Sequence, residues 1–430
     1  NMEVRILKND RKIDTKYVDV LDGVRAISII IVMIFHFWQQ TWIWPTIQTP
    51  FLSFIGITKI SFNHFAQAGY LFVDMMVLIS GFLLFLPLAR HILMGEDLIS
   101  WKQYARKRGA RILPSDLFCV ITLFIYSLAL GSYNSIGDAL IDLLTHLTFT
   151  QTLFGATYMG TMLNVVLWTL AIEVWFYILF PFIASLLKRN KDMEDAASFS
   201  LVKAIIIAAV MFIIFSVFKN KFVLHEGNYL PMWINQFPAF MGVYAIGMIG
   251  ALVYVGLAKN IERNSLVAYR SFFFSILSIV VINEFVLNCS LSKEAQLWQI
   301  TNRTALCTAF IILIISLAFS PYWFRWLFSN RFMRFLSGIS YNLYIWHQWL
   351  AVQLKQVWRI PYWTGTTPPN QLNDSAWQWK YAIIITVVSF AVAILVTYLI
   401  EKPFSNIIMG KPAFGKKAAK NGIGTTPQDA

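Results

Sequence analysis

Ten stretches of this chain are built almost wholly from apolar side chains, near residues 20–44, 69–89, 111–131, 164–187, 201–218, 234–257, 271–288, 303–320, 335–354 and 380–400. Runs of about 20 apolar residues match the hydrocarbon thickness of a bilayer. With no water in that slab to pair with N–H and C=O groups, a helix is the default spanning form because it pairs its own backbone. The chain is therefore expected to be an all-α, polytopic integral membrane protein. Composition agrees: 57% of the 430 residues are hydrophobic and 13% charged. That is about half the charge of a soluble domain, which excludes a soluble multidomain enzyme.

A net charge of +13 would suggest nucleic acid for a soluble chain. In a membrane protein the useful question is which side the charges occupy. With the amino terminus in the cytoplasm, segments 1–19, 89–111, 188–203, 258–270, 320–334 and 401–430 put 26 Lys and Arg inside, against 8 outside. The asymmetry holds only if segment 138–154, short and bearing Asp138, Asp142 and His146, does not cross. The expectation is about ten spans in a cell membrane, one short external re-entrant or interfacial helix, and both termini cytoplasmic. Residues 1–19 form a cytoplasmic segment without a cleavable-signal pattern, 20–403 the membrane domain, and 404–430 a cytoplasmic, disordered tail. Cys119, Cys289 and Cys307 suggest neither a disulfide framework nor a metal site. No bound cofactor and no nucleic-acid partner are expected.

Ionisable groups inside spans are costly and are candidates for function. In LDGVRAISIIIVMIFHFW, Arg25 and His36 stand 11 residues apart, on one helix face and about 16 Å apart along the axis. Spacing alone also fits an interface anchor plus a bundle histidine. In FVDMMVLISGFLLFLP, Ser80 and Gly81 fit simple helix packing. Asp74 needs a partner, and a histidine on a neighbouring helix is the expected one. YARKRGARILP places Arg106, Lys107, Arg108 and Arg111 at the cytoplasmic mouth of the third span. These satisfy topology, or capture phosphate with planar guanidinium forks; Arg108 and Arg111 are spaced to face one anion. In LWTLAIEVWFYILFP, Glu173 is flanked at i−4 and i+4 by Thr169 and Tyr177. SYNLYIWHQWL supplies His347 with Tyr341 and Tyr344. The remaining histidines, His64, His91, His146 and His225, read as solvated.

Six blocks in order, from Leu21 to Pro403, resemble the acyltransferase-3 family of membrane acyltransferases. LDGVRAISIIIVMIFH is similar to its amino-terminal arginine–histidine motif, and FVDMMVLISGFLLF to its VD…SGF block. RKRGARILP looks like its RxxR motif and WTLAIEVWFYILFP like its W-S/T-L-x-x-E block. SYNLYIWHQWL resembles SYxLYxWH, and EKPF the terminal E-x-P. The chain departs from the family pattern at Ser115-Asp116, where many members carry an aromatic. The hydrolase-like domain that some members append is not among these residues, so a second transfer would call for an extracytoplasmic partner protein.

The resemblance implies transfer of an acyl group, usually acetyl, from cytoplasmic acyl-coenzyme A to an extracytoplasmic hydroxyl, commonly on a cell-surface glycan. It implies His36 as the catalytic residue, Arg25 as its partner, and Arg108 and Arg111 at the donor site. Asp74, Glu173 and His347 complete the expected catalytic group, Arg106 and Ser80 the donor side, and Trp168, Tyr177, Tyr341 and Trp363 the acceptor side. The outer loop from Val357 to Trp379 mixes Trp and Tyr with amides, which fits an interfacial belt or a lid over an acceptor sugar. A transporter or lipid flippase is the rival class. It would favour inverted repeats and broken helix pairs, which the sequence does not display.

Overall fold

The computed structural model describes residues 12–56, 58–189, 195–225 and 230–414. Among them, nine helical segments are long and apolar enough to cross a membrane. The helices that matter below are α1 (Val20–Thr41), α2 (Phe72–Met94), α3 (Trp101–Ala129), α4 (Ile136–Leu147), α5 (Trp168–Leu186), α6 (Ala196–Lys221), α7 (Phe237–Asn260), α8 (Ser265–Leu291), α9 (Ala295–Phe319), α10 (Tyr322–Ser329), α11 (Arg331–Val352), α12 (Ser375–Val396) and α13 (Lys402–Ile408). A two-stranded hairpin, β1 (Thr46–Gln48) with β2 (Lys59–Ser61), follows α1.

Helix α11 is the ninth of the ten expected spans and the one that is not among the nine. It has 22 residues, as α1 does, but Arg331, Arg334, Asn342 and His347 lower its hydropathy. It packs on both α1 and α12, so protein shields much of it from lipid, and a polar face is tolerated there.

Hydrogen bonds at the helix ends reveal the alternation of direction. At one end, Tyr254 donates to Asp14 O, Lys259 to Leu93 O, Arg90 to Thr15 O and Arg263 to Ala318 O. At the other, Tyr126 donates to Gln353, Lys355 to Gln40 O and Asn235 to Tyr158, while His64 bonds Asn283. Helix α4 sits wholly at this second end. Its 12 residues cover about 18 Å, too little to cross, and Asp142 ties it to Thr161 and the Met162 N–H. The non-crossing helix is as expected.

The most extensive helix contact, α2 on α7, depends on small residues. A Cβ on Gly247 would lie 2.9 Å from Phe82 N, and one on Gly81 would lie 2.8 Å from the Tyr244 ring. Gly81 thus has the packing role that its size suggested.

Three expectations change. His91 and His146 are buried rather than solvated: His91 Nε2 accepts the Arg189 N–H at 3.0 Å, and His146 Nδ1 lies 3.3 Å from Asp142 Oδ1. The stretch from 404 opens as helix α13, while 415–430, expected to be disordered, lie outside the described residues. The partner of Asp74 is not a histidine. Arg303 Nε meets Asp74 Oδ2 at 3.1 Å, with Gln299 donating at 3.3 Å to the same oxygen. The Arg303 guanidinium also donates to the carbonyls of Ile234 and Ala239, and lies 4.2 Å from the Phe240 ring centre.

Removing one member of a buried ion pair costs about 3–5 kcal/mol, while replacing both by apolar residues is often neutral or better. Asp74→Ala should therefore lower the unfolding temperature of the detergent-solubilised protein strongly, and Asp74→Leu with Arg303→Met should recover most of it. A stable but inactive double variant would instead return Asp74 to the chemistry.

Candidate active site

Helices α1 and α11 bring two histidines together. His36 Nδ1 lies 2.9 Å from His347 Nε2 and 3.1 Å from the Val32 carbonyl, four residues back on its own helix. His347 Nδ1 lies 3.0 Å from Leu343 O and 2.8 Å from Tyr344 O. Carbonyls only accept hydrogen bonds, so both Nδ1 atoms carry the proton. His347 Nε2 is then the acceptor for His36 Nδ1–H, and His36 Nε2 is left with a free lone pair. His347 is fully buried and His36 partly exposed. This is an imidazole held in one tautomer by a second group behind it, the logic that orients histidine in hydrolytic triads.

On the arginine-rich side, a narrow cavity of about 70 Å³ is lined by Arg25, Ser80, Arg111, Glu173, Tyr341 and Tyr344, among others. Glu173 Oε1 accepts from the Ser80 hydroxyl at 2.5 Å and also from the Tyr177 hydroxyl. Two donors on one oxygen, with Arg25 and Arg111 lining the same space, suit an ionised carboxylate. Two arginines line the cavity against one acid, and Tyr244 lines it too, with its buried hydroxyl lacking a hydrogen-bond partner. Tyr344 joins the two centres: it lines the cavity, and its ring centre is 5.9 Å from that of His347.

The arginine cluster divides. Arg111 faces the cavity. Arg108 stacks on Tyr104 and Tyr177, its guanidinium carbon 5.7 and 5.3 Å from their ring centres, and its Nε is buried without a partner. Arg106 is exposed and turned away, as a residue two positions before Arg108 on a helix must be. Tyr341 lines the cavity and donates to Ile112 O at 3.3 Å. Trp168 packs on Phe240 with ring centres 5.7 Å apart. Trp363 is no open platform: it is buried, its indole N–H donates to Lys355 O, and Arg359 covers one face at 4.4 Å. Asp74, paired with Arg303, stands outside both centres.

Several supporting residues were not singled out from the sequence. Glu401, the acid of EKPF, accepts from Asn342 of the SYN stretch at 2.5 Å and from Ser115 at 3.5 Å. A widened helical turn over Thr397–Glu401 carries it. The departure at Ser115-Asp116 thus supplies one donor to this clasp, while Asp116 is buried with Oδ2 unpartnered. Asn164 donates to Ile345 O at 2.7 Å, fixing α11 two residues before His347. The motif order was the available signal for Asn342 and Glu401; nothing in the spacing pointed to Asn164.

Residues 18–401 match the profile of a family described as an acyltransferase domain. The chain belongs to acyltransferase family 3. It is a multi-pass membrane O-acyltransferase. A protein of Staphylococcus aureus (strain COL) provisionally named an O-acetyltransferase is 24% identical over 454 residues, covering 96% of this chain and 67% of its own. Peptidoglycan O-acetyltransferase OatA of Listeria monocytogenes is 22% identical over 409 residues, covering 92% and 57%. A provisionally named acetyltransferase of Acidianus two-tailed virus is 24% identical over 288 residues, covering 65% and 73%. No solved structure matches the acyltransferase.

Replacement of His347 tests the histidine pair. Leu at this position leaves His36 Nδ1–H only the Val32 carbonyl of its own helix, whereas Gln restores a second acceptor in its amide oxygen. Expected losses in kcat are about 100-fold or more for His347→Leu and markedly less for His347→Gln, with KM little changed, in the range that a positioned base supplies. Equal losses in both variants, or none in either, would remove the positioning role.

Proposed function

We propose that the acyltransferase moves an acyl group, acetyl by preference, from cytoplasmic acyl-coenzyme A to a hydroxyl of an extracytoplasmic glycan. The observation that carries this reading is the tautomer of His36, whose Nε2 is free to take a proton while His347 holds Nδ1. The acceptor hydroxyl gives its proton to His36 Nε2 as its oxygen attacks the thioester carbon. The tetrahedral intermediate collapses with cleavage of the C–S bond, and the departing sulfur takes the proton back from His36. Products are the acyl ester and free coenzyme A, and the enzyme ends as it began.

Charge supports the direction of transfer. The end of the bundle bearing Arg106, Arg108 and Arg111 is the cytoplasmic end under the positive-inside rule, so both described ends of the chain lie there. A donor arriving at that end meets Arg108, Arg111 and Arg25 before His36. The cavity of about 70 Å³ is smaller than an acyl-pantetheine arm, so entry requires side chains on the arginine-rich side to move, and we propose that the stack of Arg108 on Tyr104 and Tyr177 is what parts.

At the opposite end, a cleft of about 650 Å³ lies between the end of α1 and the start of α12, walled by Trp42, Trp44 and Trp379 with Asn373 and Gln378. Indole faces beside amides suit sugar rings. Together with the relative named as a peptidoglycan O-acetyltransferase, this favours a glycan acceptor over a small alcohol. Family membership weighs against the transporter reading.

The deciding experiment incubates purified protein with acetyl-coenzyme A and follows free thiol and acetyl ester. Wild type should release thiol and His36→Ala should not, at equal membrane yield. Full turnover by His36→Ala would sink the assignment. Arg108→Gln and Arg111→Gln should each weaken donor affinity about 10- to 100-fold, the size of a lost charge-assisted contact, and leave acceptor KM unchanged. If both variants only lower membrane yield, the arginines serve topology alone.

A further inference from the structure

One cavity has no part in the chemistry above. It measures about 890 Å³ and opens at the arginine-rich end, between residues 12–19, the end of α7, α10 and the first turn of α11. Lys12, Arg263, Arg325, Arg331 and Arg334 line it, against Asp14 and Asp19. Its walls are tied by protein contacts: Arg325 lies 3.7 Å from Asp19, Arg263 donates to Ala318 O at 2.8 Å, and Tyr254 donates to Asp14 O at 2.6 Å. Its rim is not tied in this way. Lys12, Arg331 and Arg334 are exposed, as are the rings of Trp326 and Phe332.

We infer that this cleft binds the adenosine 3′-phosphate 5′-diphosphate end of the acyl donor. The inference rests on the coenzyme A reading proposed above and extends it to a second, separate recognition site.

Exposed aromatic faces beside three exposed cations match a purine attached to phosphates: the rings stack on the base, and the cations take the anionic oxygens. Arg331 and Arg334 are three residues apart on one helix, the spacing that lets two side chains converge on one group. Helix α11 also links the cleft to the catalytic centre. Arg334 and Tyr341 are seven residues apart, within about 20° of the same face, and His347 is about 20 Å beyond Arg334 along the axis. Tyr341 lines the inner cavity. A ligand with a nucleotide in the cleft and a thioester near His36 would thus follow one helix inward past Tyr341 and Tyr344. The competing account is that these cations mark only the cytoplasmic side, or hold an anionic lipid headgroup.

Acetyl-pantetheine separates these accounts, because it carries the same thioester without the nucleotide. In the full-length protein, Arg331→Gln with Arg334→Gln should raise the KM for acetyl-coenzyme A at least tenfold and leave that for acetyl-pantetheine unchanged. Adenosine 3′,5′-bisphosphate should bind the wild type, measured by calorimetry, and bind the double variant at least tenfold more weakly. Trp326→Ala should weaken the same binding, and Trp326→Phe should retain it. Equal effects on the two donors, or unchanged nucleotide binding in the double variant, would overturn the inference. So would displacement of the bound nucleotide by phosphatidylglycerol vesicles but not by coenzyme A, which would assign the cleft to lipid. If no thiol is released from either donor, the proposed reaction fails, while the calorimetric arm still decides whether the cleft holds a nucleotide.

Discussion

A polar group in an apolar slab must find its partner on another helix, and the bundle is arranged around a few such pairings. Asp74 on α2 meets Arg303 on α9, and Glu173 on α5 takes the hydroxyl of Ser80 on α2. His36 on α1 meets His347 on α11, and Asn342 on α11 holds Glu401. Each ties helices that are distant in sequence, and leaving any one partner alone would strand a group that lipid cannot solvate. The pairings differ in how fully they are closed. Arg303 is enclosed by Asp74, two carbonyls and an aromatic face. His36 keeps Nε2 open, and Tyr244 keeps its hydroxyl open. Asp74 Oδ1 and Arg303 Nη2 lack partners too, but that pair is fully buried; His36 differs in being partly exposed, where a substrate can be handled.

Helix α11 shows how this is arranged locally. One side packs on α1 and the other on α12, so few of its residues need to be lipid-compatible. It can therefore carry Ser340, Asn342 and His347 buried on two successive turns. Each of these side chains has a defined neighbour: Ser340 donates to Ser337 O, Asn342 reaches Glu401, and His347 is held from both ring nitrogens. A catalytic group locked by packing and by outer hydrogen bonds holds its geometry better than one on a loop. The same polarity that keeps α11 from reading as a strong span is what makes it useful.

The spans, their order and the non-crossing α4 were legible because they depend on local properties, apolar length and charge asymmetry. His36, His347, Glu173 and the arginines were legible as isolated ionisable residues inside such spans. Their pairing was not, because periodicity places a residue on a face of its own helix and says nothing about which helix faces it; His36 and His347 are 311 residues apart. Asp74 was assigned the wrong partner for a related reason. The apolar run that contains Arg303 was read as starting at that residue, whereas the helix begins at Ala295, so Arg303 lies two turns inside. The expectation for Trp363 failed because composition cannot tell an indole folded under its own loop from one presented to a ligand. His91 and His146 were misjudged because they lie not in loops but near the ends of α2 and α4, where neighbouring segments cover them.

A transferase whose two substrates come from opposite sides of a membrane must not become a leak or a thioesterase. On the proposed chemistry, the resting cavity of about 70 Å³ answers both demands, since it has room for only a water or two. The plug on the donor side is the stack of Arg108 on Tyr104 and Tyr177, braced by the Tyr104 hydroxyl on the Tyr177 carbonyl at 3.1 Å. A cation–π contact of this kind contributes about 0.5–2 kcal/mol, while a hydrogen bond to a charged group contributes about 1.5–3. A donor can therefore draw Arg108 out of its stack where a pantetheine amide carbonyl offers an acceptor to the unpartnered Nε. Water also offers an acceptor, but not one held in place by a nucleotide already bound in the outer cleft. The gate thus favours a docked donor before any contact with His36 is made.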